Sequence, residues 1–496
     1  MVISVEATDY TTFPCAALLV GCREDNPLDD PILARIDEIL QGAIASLIQR
    51  REISGELNRV MVLHTLGRIP AERIVLVGLG NSGALTPERL RQAGGSTVKA
   101  LKGAGVTRAA SVVHRAAGVP PTSVADIAQG LSLGAYSFDS YKTKPDTTAA
   151  VAEIVSLFEP GADTADAERL LADDATICEA VSFARDLVSQ PGNVATPLFL
   201  AEKALELSAR LGIACTVLDR DEMERQGMGG ILSVAKGSHQ LPRFIVLDYR
   251  GGSADKRPTV LVGKGVTFDS GGISLKTREG MERMKDDMAG AAAVMGAVMA
   301  VAGLRLPVNV IGLVPAAENL PGGGAYKPGD IVRTMSGQTV EIVNTDAEGR
   351  MILSDALFYA QRFKPAAVID LATLTGACLV ALGSAASGIM GNDTALVKLL
   401  RRAGEATGER LWELPLWDEY GEIMKSDVAD LKNAGGPHAG TITAAWFLQR
   451  FVGKSRWAHV DIAGTAWEEK GRPYQPKGAT GVGVRLLVEY LKATVR

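Results

Sequence analysis

Two carboxylates and a guanidinium occupy alternate positions in the stretch Asn344-Thr345-Asp346-Ala347-Glu348-Gly349-Arg350. Because alternate side chains of an extended segment share a face, we expect Asp346, Glu348 and Arg350 to point into one space. Residues 338–343 before the stretch have the pattern of a β-strand, and residues 352–360 after it have that of a helix. The stretch is therefore predicted at the carboxyl end of a strand, where open α/β sheets bind ligands.

A second predicted strand, residues 258–262, is followed by two lysines and more carboxylates. The chain continues as Gly263-Lys264-Gly265-Val266-Thr267-Phe268-Asp269-Ser270-Gly271-Gly272, and then come Lys276 and Met284-Lys285-Asp286-Asp287-Met288. Glycine-rich turns let backbone and side chains approach a ligand closely. This second stretch also lies between a strand and a helix, and it completes the predicted site.

The candidate metal ligands among these acids indicate how many cations the site binds. Of the five acids in the two stretches, we take four as candidate ligands, and these supply four negative charges: Asp269, Asp287, Asp346 and Glu348. Carboxylates this close repel one another unless positive charge lies between them, and divalent metals prefer hard oxygen ligands. Two divalent cations neutralise four carboxylates, whereas one leaves a surplus, so the count favours a two-metal site with bridging ligands.

These motifs resemble those of the leucyl aminopeptidases of the cytosolic, dinuclear-metal type, peptidase family M17. The family signature N-T-D-A-E-G-R stands unaltered at residues 344–350, and the G-K-G-V-T-F-D-S-G-G and M-K-x-D-M segments match as well. The similarity extends from residue 184 to near the C-terminus. One departure is Ser189, where the family usually has the first Asn of N-x-P-x-N.

The resemblance implies a role for each metal-binding residue. Asp269 and Glu348 would bridge the two ions, and Asp346 would bind one of them. Asp287 and Lys264 would bind the other. An ammonium has no lone pair, so Lys264 must be neutral to coordinate, and burial beside dications would lower its pKa.

The resemblance also implies the catalytic and substrate-binding residues. Lys276 would stabilise the oxyanion that develops on the peptide carbonyl. Arg350 would bind an anion, bicarbonate, that serves as general base for the bridging water. The substrate would contact four further residues, with the Leu374 carbonyl accepting from the free amine: Met284, Thr373, Leu374 and Gly376.

The implied activity is that of a metal-dependent aminopeptidase. It would release N-terminal amino acids, preferentially Leu and other apolar residues, from peptides by two-metal activation of a bridging water. The two ions per subunit would be Mn²⁺ or Zn²⁺, which both suit a mixed N/O site. The family also implies a homohexamer, a dimer of trimers.

The predicted fold class is α/β with two domains. Strand-like and helical segments alternate in the first 160 residues, which implies βαβ layering. We expect a smaller, macro-like and non-catalytic N-terminal α/β domain with oligomer contacts over residues 1–160. A linker helix over residues 161–185 would precede the catalytic domain, residues 186–496, whose mixed central sheet is flanked by helices.

The segment Gly78-Leu79-Gly80-Asn81-Ser82-Gly83 fits the dinucleotide-binding pattern G-x-G-x-x-G after a strand. Thr86 and Pro87 then open a helix as N-cap and first helical residue. The acid expected about twenty residues further on is missing, because residues 96–100 read Ser-Thr-Val-Lys-Ala. A tight turn is therefore favoured over a dinucleotide site.

Composition excludes several classes of protein. The net charge of −5 provides no global basic field for nucleic acid or membranes. Five scattered cysteines form no disulfide framework or zinc-finger pattern, which favours a reducing cytoplasm. The N-terminus lacks the pattern of a signal peptide. The apolar residues 288–304 are predicted to form a buried core helix, with a transmembrane span as the remote alternative.

None of the five histidines has metal-ligand spacing, which argues against H-E-x-x-H peptidases. His459, beside Asp461, is predicted to be a structural histidine at a strand end.

Three alternatives to an aminopeptidase remain at this point: another two-metal hydrolase such as a phosphatase, a scaffold with a retired site, and a nucleotide-binding oxidoreductase.

Overall fold

The chain folds into two units, and each unit contains one large β-sheet. This computed structural model describes residues 1–144 and 150–495. Unit 1 comprises Met1–Cys178 and Glu469–Lys477, and unit 2 comprises Glu179–Glu468 and Gly478–Arg496. The predicted two-domain α/β fold is confirmed. Where the sequence predicted a linker helix over residues 161–185, the structure has a helix that spans Ala165–Ser189 and contains the unit boundary.

Unit 1 has a six-stranded sheet with helices on both faces. Its strands are β1 (Val2–Ala7), β2 (Leu18–Arg23), β3 (Val60–His64), β4 (Arg73–Gly80), β5 (Arg108–Ser111) and β6 (Glu153–Phe158). Its helices are α1 (Pro31–Ile39), α2 (Ala43–Gln49), α3 (Pro87–Gly103) and α4 (Val124–Gly134), and α5 is Ala165–Ser189. The strand order is β1-β6-β5-β2-β4-β3, and among the described pairs β3–β4 alone is antiparallel.

Alternating apolar residues give this sheet a hydrophobic core on each face, since successive strand side chains point to opposite sides. One core contains residues of α3 and α4, and the other contains residues of α1 and α2. Helices α1 and α2 do not form one continuous helix, because Gln41 and Gly42 between them adopt positive φ angles of 58° and 78°. The predicted cap of α3 is confirmed, since Thr86 Oγ1 accepts from the Arg89 N–H.

The glycine-rich segment that includes the end of β4 and the turn after it packs against other groups of the protein. A Cβ at Gly78 would overlap the backbone carbonyl of Glu56. The Asp25 carboxylate accepts from the Ser82 N–H at 3.0 Å. An acid therefore takes the donor that a phosphate would use, and these contacts favour the tight turn over the dinucleotide site.

We predict a pH-dependent loss of stability in unit 1 from His114. The side chain is buried after β5, and its ring centroid lies 4.4 Å from that of Phe158. Burial, and to a lesser extent Arg115, lowers the pKa of His114 from 6.5 to about 4. As the pH falls, the unfolded chain takes up a proton near pH 6.5 that the folded chain takes up only near pH 4. The stabilisation is therefore complete above about pH 6.5 and is lost toward pH 4.

In urea unfolding, we expect His114 to contribute a loss of up to about 1.4 kcal/mol per pH unit within this window. The His114→Gln variant cannot titrate and should lack this part of the slope. Equal slopes for the wild-type protein and the variant would contradict the assignment.

Unit 2 is built on a nine-stranded mixed sheet. Its helices are α6 (Pro197–Leu211), α7 (Arg220–Arg225), α8 (Gly229–Ala235), α9 (Ala289–Gly303), α10 (Glu348–Ala360), α11 (Gly376–Leu382), α12 (Thr394–Thr407), α13 (Gly440–Gln449) and α14 (Val484–Ala493). The sheet strands are β7 (Ala214–Leu218), β8 (Arg243–Arg250), β9 (Thr259–Gly263), β10 (Gly265–Asp269), β11 (Asn309–Asn319), β14 (Ala367–Ala372), β15 (Ser387–Gly391), β16 (Leu411–Glu413) and β18 (Trp457–Asp461). Smaller sheets contain β12 (Ile331–Arg333), β13 (Thr339–Glu341), β17 (Leu431–Lys432), β19 (Trp467–Glu468) and β20 (Gly478–Ala479).

The order of the large sheet is β16-β15-β18-β14-β9-β11-β8-β7, and β10 pairs with β11. Strands β18, β14, β9, β11 and β10 are mutually parallel, so their carboxyl ends meet at one edge. Helix α9 packs against this sheet and is almost wholly buried, as predicted. The helical stretch Met281–Gly303 is long and apolar enough to cross a membrane, but 89% of its most apolar window is buried inside the protein.

Candidate active site

The predicted site residues follow the carboxyl ends of the parallel strands. Lys264 comes directly after β9, Asp269 ends β10, and Thr373 comes directly after β14. Asp287 is brought to the same edge by a 3-10 helix, Met281–Met288, that precedes α9. The placement agrees with the rule that α/β sheets bind ligands at the carboxyl ends of their strands.

The stretch of residues 344–350 is not extended, so this prediction was wrong. Its preceding strand, β13, has three residues and belongs to the small sheet, and α10 begins at Glu348 itself. The Asn344 side chain accepts from the Asp346 N–H at 2.9 Å and forms a turn. This turn, and not the alternation of a strand, brings Asp346 and Glu348 together. A tertiary contact between Lys264 and Glu348 fixes the start of the helix.

Gly349 explains why the helix can begin so close to Lys264. A Cβ at this position would lie 2.6 Å from Cε and 2.7 Å from Nζ of Lys264. Such distances are too short for any side chain, so a glycine is required for the lysine to reach the acids.

The Lys264 ammonium is surrounded by acceptors. Its Nζ lies 2.7 Å from Asp287 Oδ1 and 2.8 Å from Glu348 Oε1, and it donates to the Thr373 carbonyl at 2.9 Å. Burial acts to lower the pKa of Lys264, but the surrounding carboxylates outweigh it and raise the pKa above its usual range. The lower pKa expected for Lys264 depends on dications beside it. Its neighbours in the structure are carboxylates, and these raise the pKa instead.

Lys276 makes the second cationic contact with the acids. Its Nζ lies 2.8 Å from Asp269 Oδ2 and also pairs with Asp346 Oδ1. Burial opposes the charge here too, but Asp269, Glu348 and Asp346 raise the pKa of Lys276. The side chain is therefore positively charged at neutral pH and lies at the acid cluster.

One cavity of about 400 Å³ is lined by every residue that the sequence predicted for the site. The predicted metal ligands, catalytic residues and substrate contacts in its wall are Lys264, Asp269, Asp287, Asp346, Glu348, Lys276, Arg350, Met284, Thr373, Leu374 and Gly376. The structure thus brings all of them together.

The acids fit divalent cations. Three carboxylate oxygens lie within 4.8 Å of one another, one each from Asp269, Asp346 and Glu348. Asp287 Oδ2 and Glu348 Oε2 are buried and have no hydrogen-bond partner within residues 1–144 and 150–495. Buried charged oxygens without partners are costly unless a cation approaches them, and oxygen is the donor that hard divalent ions prefer.

Arg350 lies in the first turn of α10 and is buried. Its Nη1 donates to the Asn433 carbonyl at 2.7 Å, whereas its Nε has no hydrogen-bond partner in the part of the chain that the structure describes. Burial lowers the pKa of Arg350 to about 10, so the guanidinium remains charged at neutral pH. A cationic group with an unpaired donor can bind an anion.

Asp461 was not predicted as part of the site, although it orders the wall formed by residues 373–376. Its Oδ1 accepts from the Leu374 N–H at 3.2 Å, and its Oδ2 accepts from the Thr375 hydroxyl at 2.7 Å. An acid at the end of an apolar strand was the available signal. His459 is a structural histidine as predicted, but it lies within β18, where Nδ1 contacts Asp370 at 2.6 Å.

Comparisons with known proteins agree with this geometry. The catalytic domain of the cytosol aminopeptidase family matches residues 182–488, and its N-terminal domain matches residues 19–145. A probable cytosol aminopeptidase of Geobacter sulfurreducens is 93% identical over 496 residues, 100% of both chains. One of Geotalea uraniireducens is 61% identical over 479 residues, 96% of this chain and 97% of that one.

Two solved structures are similar over nearly the whole chain. A mutant of tomato leucine aminopeptidase superimposes with a TM-score of 0.89 at 34% identity, covering 99% of this chain and 96% of that chain. The bottromycin maturation enzyme BotP in complex with Mn superimposes with a TM-score of 0.86 at 34% identity, covering 97% of this chain and 100% of that chain.

Proposed function

Because this chain belongs to the cytosol aminopeptidase family, peptidase family M17, and is an aminopeptidase that uses divalent metal ions, we propose which reaction it catalyses and which residues of the site carry it out. It releases N-terminal residues, preferentially Leu and other apolar residues, from peptides in a reaction that depends on two metal ions. The observation that carries the proposal is the convergence of the four carboxylates expected to bind metal, together with two lysines, on one cavity.

The ions would be held by Lys264 and the four carboxylates, with Asp269 and Glu348 between them. When bound, two divalent ions would polarise the scissile carbonyl and lower the pKa of a water molecule. Mn²⁺ and Zn²⁺ both suit this mixed N/O donor set. Support for the fit comes from the buried oxygens of Asp287 and Glu348 that have no hydrogen-bond partner in residues 1–144 and 150–495.

The remaining side chains would act on the substrate. Lys276 would donate to the scissile carbonyl oxygen and stabilise the negative charge that develops there. Arg350, whose Nε has no hydrogen-bond partner among the described residues, would hold bicarbonate as the general base. The Leu374 carbonyl would accept from the free α-amine, so that the cut falls after the N-terminal residue. Met284, Thr373 and Gly376 would line the pocket for the first side chain, where Met284 favours apolar residues.

The first test compares Leu-p-nitroanilide with N-acetyl-Leu-p-nitroanilide after removal of metal and addition of Mn²⁺ or Zn²⁺. We expect metal-dependent cleavage of the free amine alone, because the acetyl group removes the amine that the site recognises. Cleavage of both compounds would contradict recognition of the amine. Hydrolysis of p-nitrophenyl phosphate in place of either would favour a two-metal phosphatase. Gly- and Asp-p-nitroanilide test the preference for apolar residues.

We also propose a homohexamer and a cytoplasmic location. Both follow from the family, and the relatives' description as cytosol aminopeptidases supports the second. Sedimentation velocity tests the first, since a stable and active monomer would contradict it.

A further inference from the structure

Two separate chain segments carry most of the site, and a network of hydrogen bonds joins them. Asp269 and Lys276 belong to the first segment, and the turn of residues 344–350 forms the second. Thr345 lies at the junction: its Oγ1 donates to the Gly271 carbonyl at 2.6 Å and accepts from the Ser274 N–H at 2.7 Å. The relative position of the acids therefore depends on contacts outside the acids themselves.

Asn319, the last residue of β11, connects both segments through one side-chain amide. It is completely buried, and its Nδ2 donates to Asp269 Oδ1 at 2.8 Å and to the Thr345 carbonyl at 2.9 Å. An amide nitrogen has two hydrogens, so these two bonds use its full donor capacity. The hydroxyl of Tyr326 donates to the same Thr345 carbonyl at 2.9 Å.

These bonds fix the orientation of the Asp269 carboxylate. Oδ1 accepts from both Asn319 and the Gly271 N–H, the latter at 2.9 Å, whereas Oδ2 faces the Lys276 ammonium. Gly272 permits the packing, since a Cβ there would lie 2.6 Å from Asn319 Oδ1 and 3.0 Å from Thr345 Oγ1. An amide, rather than a carboxylate, is required at Asn319 because both of its partners are acceptors.

We propose that Asn319 is a positioning residue that orients Asp269 and fixes its distance from the turn carrying Asp346 and Glu348. In this role it sets the affinity of the site for divalent cations without contacting them. The inference rests on the proposed two-metal function. Outer hydrogen-bond partners of metal ligands typically contribute about 10–100-fold to metal affinity, because a misoriented carboxylate must be reorganised on binding.

The test is direct titration of the metal-stripped, full-length protein with Mn²⁺, with free Mn²⁺ measured by electron paramagnetic resonance. We expect the Asn319→Ala variant to bind Mn²⁺ about 10–100-fold more weakly than the wild type. At saturating Mn²⁺, KM for Leu-p-nitroanilide should stay close to the wild-type value. If Asn319→Ala does not fold, Asn319→Ser keeps one donor and should show a smaller loss of affinity in the same direction.

Asn309, the first residue of the same strand, provides a matched control. It is also buried, and its Nδ2 donates to the carbonyls of Ser253 and Lys256, both at 2.9 Å. It lies about 33 Å from Asn319, from a rise of about 3.3 Å per residue. We expect Asn309→Ala to lower the unfolding midpoint in urea but to leave Mn²⁺ affinity unchanged.

Three outcomes would overturn the proposal. Unchanged Mn²⁺ affinity in folded Asn319→Ala or Asn319→Ser would show that the tether does not position Asp269. An equal loss of affinity in Asn309→Ala would reduce the effect to general destabilisation. If the wild-type protein binds no Mn²⁺, the two-metal function and this inference both fail. In the first two outcomes the wild-type protein binds Mn²⁺, and the inference alone fails.

Discussion

Replacing Glu348 by Gln is expected to lower kcat/KM for Leu-p-nitroanilide by about three orders of magnitude. Metal ions stabilise a transition state by several kcal/mol, and each 1.4 kcal/mol corresponds to about a tenfold change in rate. The Glu348 side chain is buried, with Oε1 at 2.8 Å from Lys264 Nζ and Oε2 without a partner among the described residues. Glutamine has nearly the same shape but lacks the charge, so the effect should come from lost cation binding.

Glu318→Gln is the matched control for this prediction. Glu318 is also buried, and it accepts from the Ser238 hydroxyl at 2.6 Å rather than lining the active-site cavity. Its variant should retain activity close to that of the wild type. Mn²⁺ titration of both variants shows whether metal is lost. A Glu348→Gln enzyme within about tenfold of wild-type activity would exclude a carboxylate bridge at this position.

Lys276→Met is expected to lower kcat by about 10²–10³-fold with little change in KM, as loss of one oxyanion donor does in other enzymes. The ammonium pairs with Asp269 and Asp346 and is held positively charged by them. Methionine keeps the length of the chain but cannot donate a hydrogen bond. Mn²⁺ affinity should not fall, because the substitution removes a positive charge from the acid cluster.

Lys327→Met controls for the loss of a lysine–aspartate pair. Lys327 Nζ lies 3.1 Å from Asp330 Oδ2, outside the cavity, and its variant should keep both kcat and KM. Steady-state kinetics at saturating Mn²⁺ measure the two parameters separately. A raised KM with unchanged kcat in Lys276→Met would make this residue a substrate-binding group and not a stabiliser of the transition state.

Much of unit 2 could be predicted from residues close together in sequence. The apolar run of residues 258–262 identified strand β9, and the polar residues that follow it identified the end of the strand at which the cavity lies. The buried character of α9 also followed from its composition. These features are local, because strand alternation, apolar runs and turn residues act over a few positions.

The stretch of residues 344–350 shows the limit of local reasoning. Alternating charges predicted an extended segment, but Glu348 begins a helix. Alternation alone does not distinguish a strand from a turn that leads into a helix. The choice was made by contacts with distant residues: Lys264 packs on Gly349, and Asn433 Oδ1 accepts from the backbone N–H of Val343 and Asn344.

The sequence by itself thus determined the two-domain α/β class, the family and the set of acids and lysines at the site, because these depend on residue type and short spacing. Only the tertiary structure decided how the acids face one another. Asn319, Tyr326 and Asp461 hold the site residues through hydrogen bonds to segments far away in the chain. Such bonds leave no periodic signal, since they form only after packing of the sheet has brought the segments together.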